Sequence, residues 1–181
     1  MASDFITDLL RVLGCGVELK TKHTNFNAFD LQQLKWSKII ICTDADVDGY
    51  QIRTLILTML YRLTPTLIKE KKVFIAESPL YEITAGKDTF FAYSEAEKTA
   101  ILSKVKGKYT IQRSKGLGEN QPEMMWETTM NPATRRLIQV LPEDERATRE
   151  KFELLLGDNL KGRKEHIEGY RRQYIKLSDI R

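Results

Sequence analysis

The apolar residues of this chain fall into short blocks whose spacing alternates between two periods. Phe5, Ile6, Leu9, Leu10 and Leu13 recur at helical spacing, with Ser3 placed to cap the helix and Gly14 to end it. Residues 15–36 are polar and irregular, with Phe26, Phe29, Leu31 and Leu34 as the side chains expected to dock on a core. Lys38-Ile39-Ile40-Ile41-Cys42-Thr43 is a short β-branched run, which predicts a strand covered on both faces. After the acidic stretch Asp44-Ala45-Asp46-Val47-Asp48-Gly49, the residues Ile52, Leu55, Ile56, Met59, Leu60 and Leu63 form one helical stripe. Val73-Phe74-Ile75-Ala76 reads as the next strand, parallel to the first across a β–α–β unit.

Further on, Leu80–Thr84 and Thr89–Tyr93 flank Ala85-Gly86-Lys87-Asp88, a hairpin pattern. Ser94 and Glu97 make a capping box for a helix running to about Lys104, and Tyr109–Gln112 is another strand. A glycine-bearing loop follows at residues 114–119, and Pro122 and Pro132 each stand where a first helical turn would begin. Glu143–Leu156 and Lys161–Tyr174 read as helices. The pattern predicts an α/β domain over residues 1–141 and a helical C-terminal lobe over 142–181, with the boundary near Leu141-Pro142.

Composition narrows the class. The chain has 181 residues, of which 41% are hydrophobic, enough for a sizeable core. No apolar run nears the roughly 20 residues of a membrane span, and the N-terminus has no basic leader region. Cys15 and Cys42 do not have metal-finger spacing, so a reduced, cytoplasmic setting is expected. The net charge of +4 resides in residues 161–176, where Lys161, Arg163, Lys164, Arg171, Arg172 and Lys176 face only Glu165 and Glu168. Such a basic end can meet nucleic acid or be a solvated helix face. His23 and His166 have no ligand cluster in sequence around them and read as surface or structural residues.

The chemistry is concentrated at Asp44, Asp46 and Asp48. Three carboxylates at alternate positions repel one another, and a divalent cation supplies the missing opposite charge. Oxygen-only donors favour Mg²⁺, with Mn²⁺ as its substitute, over zinc. The turn also falls at the carboxyl end of a strand, where open α/β sheets place their ligands. A solvated turn with Asp48 as helix cap is the competing reading; it accounts for Asp48 and leaves Asp44 unexplained. An EF-hand would need a preceding helix and a glutamate at the twelfth loop position, which is Leu55 here. An aspartyl-phosphate phosphatase also sets Asp-x-Asp after an apolar strand, and stays as the runner-up although the motif lies well inside the chain.

Four blocks in order carry a resemblance. They are Leu13-Gly14-Cys15-Gly16; the run from Ile39 to Gly49 continued by Ile52-Arg53-Thr54-Leu55; Glu77-Ser78-Pro79-Leu80-Tyr81; and Lys115-Gly116-Leu117-Gly118-Glu119 with Trp126-Glu127-Thr128-Thr129-Met130 and Pro132. Together they resemble the TOPRIM region of bacterial type IIA DNA topoisomerase B subunits, the gyrase and topoisomerase IV group. The resemblance implies a Rossmann-like parallel sheet flanked by helices, holding Mg²⁺ beside a DNA bond that a tyrosine of the A subunit attacks. It implies Asp44 and Asp46 as principal metal ligands and Asp48 as a secondary one. Lys115, Gly116, Gly118 and Arg53 become residues expected near DNA. No catalytic tyrosine is expected in this chain. The implied partners are double-stranded DNA and the A subunit of an A2B2 heterotetramer, with ATP used by a region outside this chain.

Two features depart from the family pattern. Gln51 stands where the family has a histidine. The acidic, Gly- and Ser-rich motif that carries the family's metal-binding glutamate, and the Lys- and Asn-bearing DNA-contact segment after it, do not occur here. The sequence is therefore expected to start inside the fold, with Met1-Ala2-Ser3 as a cloning remnant. Such a piece would catalyse nothing alone, which keeps a non-catalytic DNA- or partner-binding module as the alternative function.

Overall fold

The computed structural model describes residues 4–19, 27–114, 116–142 and 144–173. Ser3, His23, Phe26, Lys115, Tyr174 and Lys176, each singled out by the sequence, lie outside the described residues. The chain divides into two compact units, Met1–Val140 and Leu141–Arg181.

The first unit is mixed α/β. Helix α1 (Asp4–Leu13) ends at Gly14, whose φ of +78° is backbone that glycine adopts freely. Strand β1 (Ile39–Ile41) leads through the acidic turn into α2 (Val47–Leu63) and α3 (Pro65–Lys69). Strand β2 (Val73–Ala76) then pairs parallel to β1, with Ile39 opposite Val73 and Ile41 opposite Ile75. Strand β6 (Leu137–Gln139), which the pattern did not predict, adds antiparallel to the other edge of β2. The sheet β1-β2-β6 is therefore mixed rather than wholly parallel.

A second three-stranded sheet, order β4-β3-β5, is built from β3 (Tyr81–Ala85), β4 (Asp88–Ala92) and β5 (Thr110–Arg113). Both its pairings are antiparallel. Between β4 and β5 runs α4 (Glu95–Leu102), opened by the predicted capping serine: Ser94 Oγ accepts the Glu97 N–H at 3.1 Å. Glu97 in turn accepts from the Tyr93 N–H at 3.2 Å and from Arg136 at 2.9 Å, which ties α4 to the segment entering β6. Pro122 opens the short helix α5 (Pro122–Met125), continued by a π-helical turn over Trp126–Met130. Pro132, by contrast, begins a turn and not a helix.

Leu10, Leu13, Cys15, Val17, Ile41, Leu60, Leu67, Ile68 and Val73 form the core around α1, β1, α2, α3 and β2. Phe29, Leu31 and Leu34 pack against it, as their place in the polar segment implied. Two expectations fail here. Ile52 and Leu55, counted in the apolar stripe of α2, are exposed, because the buried side of that helix centres on Leu60. Strand β1 is only half covered, with Ile39 and Ile40 partly accessible.

The second unit carries α6 (Glu145–Leu156) and α7 (Leu160–Gly169), with helical residues continuing over 171–173. Asp144 and Asn159 cap them, accepting from Ala147 N–H at 2.7 Å and Gly162 N–H at 2.9 Å. His166 lies against Tyr170 with ring centroids 4.6 Å apart and the planes tilted by 38°. No helix among the described residues is long and apolar enough to cross a membrane.

Candidate metal centre

The turn that follows β1 places its aspartates in three different environments. Asp46 has extended backbone and its Oδ1 accepts the Gly49 N–H at 2.7 Å, so Asp46, and not Asp48, caps α2. Asp48 lies exposed in the first helical turn, where the positive end of the helix dipole favours its charge. Asp44 points elsewhere: its Oδ1 accepts the Leu117 N–H at 2.7 Å, across 73 residues of sequence. The acidic turn and the glycine loop, read separately in the sequence, thus meet through one half-buried hydrogen bond.

Glycine plays two different parts in this arrangement. A Cβ on Gly49 would fall 2.1 Å from the Asp44 carbonyl oxygen, so only glycine lets α2 start against the turn. A Cβ on Gly116 would lie 3.6 Å from Asp44 Oδ2, ordinary contact, so that glycine lines the carboxylate without being forced. Around Gly118 there is open space.

Behind the turn, Thr43 is buried and held from two sides. Ser78 Oγ donates to its carbonyl at 3.0 Å, and Arg53 Nη2 reaches its hydroxyl at 3.5 Å from α2. The Arg53 guanidinium also lies over the Tyr50 ring, 4.9 Å from the centroid, and its Nε is buried with no hydrogen-bond partner among the described residues. Burial pushes the Cys42 thiol above its ordinary pKa, opposed by side-chain hydrogen bonds with Thr129 and Ser78. Ser78 therefore supports the turn from a segment far along the chain. The sequence pattern assigned it no role; the signal available was its place inside the block around Glu77.

Among the described residues no group of three His, Cys, Asp or Glu side chains converges as a ready-made metal cluster. The donor chemistry nevertheless suits a hard cation. Asp44 and Asp46 each give one carboxylate oxygen to a backbone N–H, and among the described residues the other oxygen of each accepts no hydrogen bond, so one turn offers two oxygen donors. Mg²⁺ usually keeps several waters beside one or two carboxylates, so this pair fits it.

The same stretches of chain match known proteins. A model of the Toprim domain matches residues 3–78, and a model of the DNA gyrase B subunit carboxyl terminus matches residues 106–168. The DNA gyrase B subunit of Thermotoga maritima is 41% identical over 181 residues, covering 99% of this chain and 27% of that protein. The gyrase B subunit of Halalkalibacterium halodurans is 44% identical over 182 residues, with 99% and 27% covered. That of Thermus thermophilus is 49% identical over 145 residues, with 80% and 23% covered. The chain spans about a quarter of the length of the curated relatives it matches.

Proposed function

Since the chain belongs to the Toprim-bearing family of DNA gyrase B subunits, we propose that it is the segment holding Mg²⁺ for DNA cleavage and religation in an ATP-dependent type II topoisomerase. The observation that carries this reading is the Asp44–Leu117 hydrogen bond, which joins the acidic turn to the glycine loop in one site. In this reading Asp44 and Asp46 hold the ion through the oxygens their backbone partners leave over, and Asp48 contributes from the next turn. The ion, when bound, supplies Lewis-acid stabilisation of the charge developing on the phosphate and the departing 3′ oxygen.

The chain's own residues do the positioning. The Leu117 N–H fixes the rotamer of Asp44, and the Gly49 N–H fixes that of Asp46. Gly116 and Gly118 leave room for a DNA backbone to approach the loop, and Lys115 brings a charge to the same loop. Arg53 keeps a guanidinium beside Thr43, one residue before Asp44. The attacking tyrosine belongs to the A subunit of an A2B2 assembly working on cytoplasmic double-stranded DNA, and ATP is used by a part of the B subunit outside residues 1–181. By itself the chain acts as a module that binds metal, DNA and its partner.

The test uses supercoiled plasmid, Mg²⁺ and the A subunit. A complete B subunit carrying this segment should cleave with the A subunit, and should lose cleavage by at least about a hundredfold when Asp44→Asn and Asp46→Asn are introduced, the scale of removing a key charge-stabilising group. The 181-residue chain alone should leave plasmid intact. Cleavage by the purified chain without the A subunit would overturn the reading.

A further inference from the structure

The β4-β3-β5 sheet has two ends with different chemistry. At one end Tyr81 faces Arg113, and β5 passes through Ser114 to the glycine loop that binds Asp44. At the other end lie the hairpin turn at Gly86-Lys87 and the α4–β5 connection, brought together because Ala85 pairs with Asp88 and Thr84 with Thr110. Lys87, Lys104, Lys106 and Lys108 all lie in these two loops, and all are exposed. None of the four is in an ion pair among the described residues, whereas Lys98 nearby is paired with Glu95. Four uncompensated ammonium groups with only Asp88 among them repel one another, an arrangement that an anionic partner relieves.

Shape agrees with charge. A recess of about 380 Å³ is lined by Asp88, Phe90, Ile101, Lys104 and Lys106. A second, of about 570 Å³, is lined by Gly86, Gly107, Lys108 and the exposed Tyr109. Gly86 and Gly107 have open space where a Cβ would stand, so the backbone itself is approachable there. Between the two ends, every residue of β5 is exposed and its outer edge is unpaired among the described residues.

We propose that the lysine-bearing end of this sheet is a second DNA contact, which grips phosphates of the same duplex whose cleavable bond lies at the acidic turn. This rests on the proposed function. The four residues of β5 span roughly 13 Å at about 3.3 Å each, which is about four base pairs of rise at 3.4 Å. A duplex lying along the exposed strand therefore covers its length within half a helical turn and reaches the lysines at its far end. The lysine end adds affinity without reading sequence, since ammonium groups on phosphate carry no base information.

The experiment measures binding of the full chain to a duplex of about 30 base pairs by fluorescence anisotropy across a KCl series, with EDTA present to remove metal bridging. Three proteins are compared: the unaltered chain, the variant Lys87→Gln/Lys104→Gln/Lys106→Gln/Lys108→Gln, and the variant Arg171→Ala/Arg172→Ala. Each phosphate contact contributes about 0.9 to the log–log slope, so the quadruple variant should lose roughly 2 to 3.6 from its magnitude. The loss should be independent of duplex sequence and should add to that of the arginine variant. An unaltered slope in the quadruple variant, with the unaltered chain binding normally, overturns the lysine contact and leaves the metal reading standing; the quartet then serves an acidic protein instead. No salt-dependent binding by any of the three proteins overturns the lysine contact and the arginine contact alike, while the metal reading answers to the cleavage and Mn²⁺ tests.

Discussion

At Gly49 the geometry is strict. A methyl group there would collide with the Asp44 carbonyl at 2.1 Å, and both atoms are fixed to backbone, so neither can rotate away. Gly49→Ala should cost about 1–3 kcal/mol, as overpacking does, and should displace the turn that carries the aspartates. Urea unfolding checks the first effect; a variant as stable as the parent would mean α2 can start one residue later. Cys42 supplies a second residue-scale test. Its thiol is held above the ordinary range chiefly by burial. It should therefore be alkylated more slowly than a free thiol at neutral pH, and gain reactivity only at pH above the usual thiol range; iodoacetamide labelling followed by peptide mapping reads this directly. At the same scale the sequence was only partly informative. The alternation of Asp44, Asp46 and Asp48 was visible, but which of them caps α2 was not. Any of the three fits the cap preference, and only the backbone fold at Asp46 selects it.

Helix α4 is held to the segment before β6 by Glu97, whose carboxyl lies below its ordinary pKa chiefly through the hydrogen bond from Arg136. A depressed folded-state pKa stabilises above the unfolded value, and that contribution is lost as pH falls through the folded value. The pair is well exposed, so its worth is within about 1 kcal/mol. Glu97→Gln should therefore lower stability at pH 7 by up to about 1 kcal/mol, with the difference from the parent vanishing as pH falls below about 4.5; an unchanged acid limb would show that the tie is idle. Most elements were legible because their signals are local: the capping serine of α4, the glycine after α1, the β-branched run of β1. Strand β6 was not, since Leu137-Ile138-Gln139 has no period of its own and exists by pairing with β2. The face of α2 was misjudged for a related reason. Its apolar residues encircle more of the helix than the core covers, so Ile52 and Leu55 remain outside.

Charge, at the scale of the molecule, was read from totals, and totals concealed part of the pattern. Residues 1–160 sum to neutrality, yet the lysine quartet at one sheet end is locally unbalanced because its counter-charges lie elsewhere on the unit. The basic end of the second unit remains a separate expectation: Arg171 and Arg172 are exposed, and their replacement by Ala should flatten the salt dependence of DNA binding by up to about 2. An unchanged slope would leave those arginines as a solvated helix face. The family relationship was legible in blocks whose contacts are now visible: the turn, the loop that hydrogen-bonds it, and the Ser78 support. The proposed division of work follows, with metal held here and the nucleophile supplied by a partner.

The most direct test is a calorimetric titration of Mn²⁺ into the chain and into its Asp44→Asn/Asp46→Asn variant. Asparagine keeps an oxygen for the Leu117 and Gly49 N–H groups, and caps helices as well as aspartate, so the fold should persist with little change in Tm. Weak but measurable Mn²⁺ binding by the unaltered chain, abolished in the variant, is the expected result; equal Mn²⁺ affinity in the two proteins would contradict the assignment of Asp44 and Asp46 as the ligands.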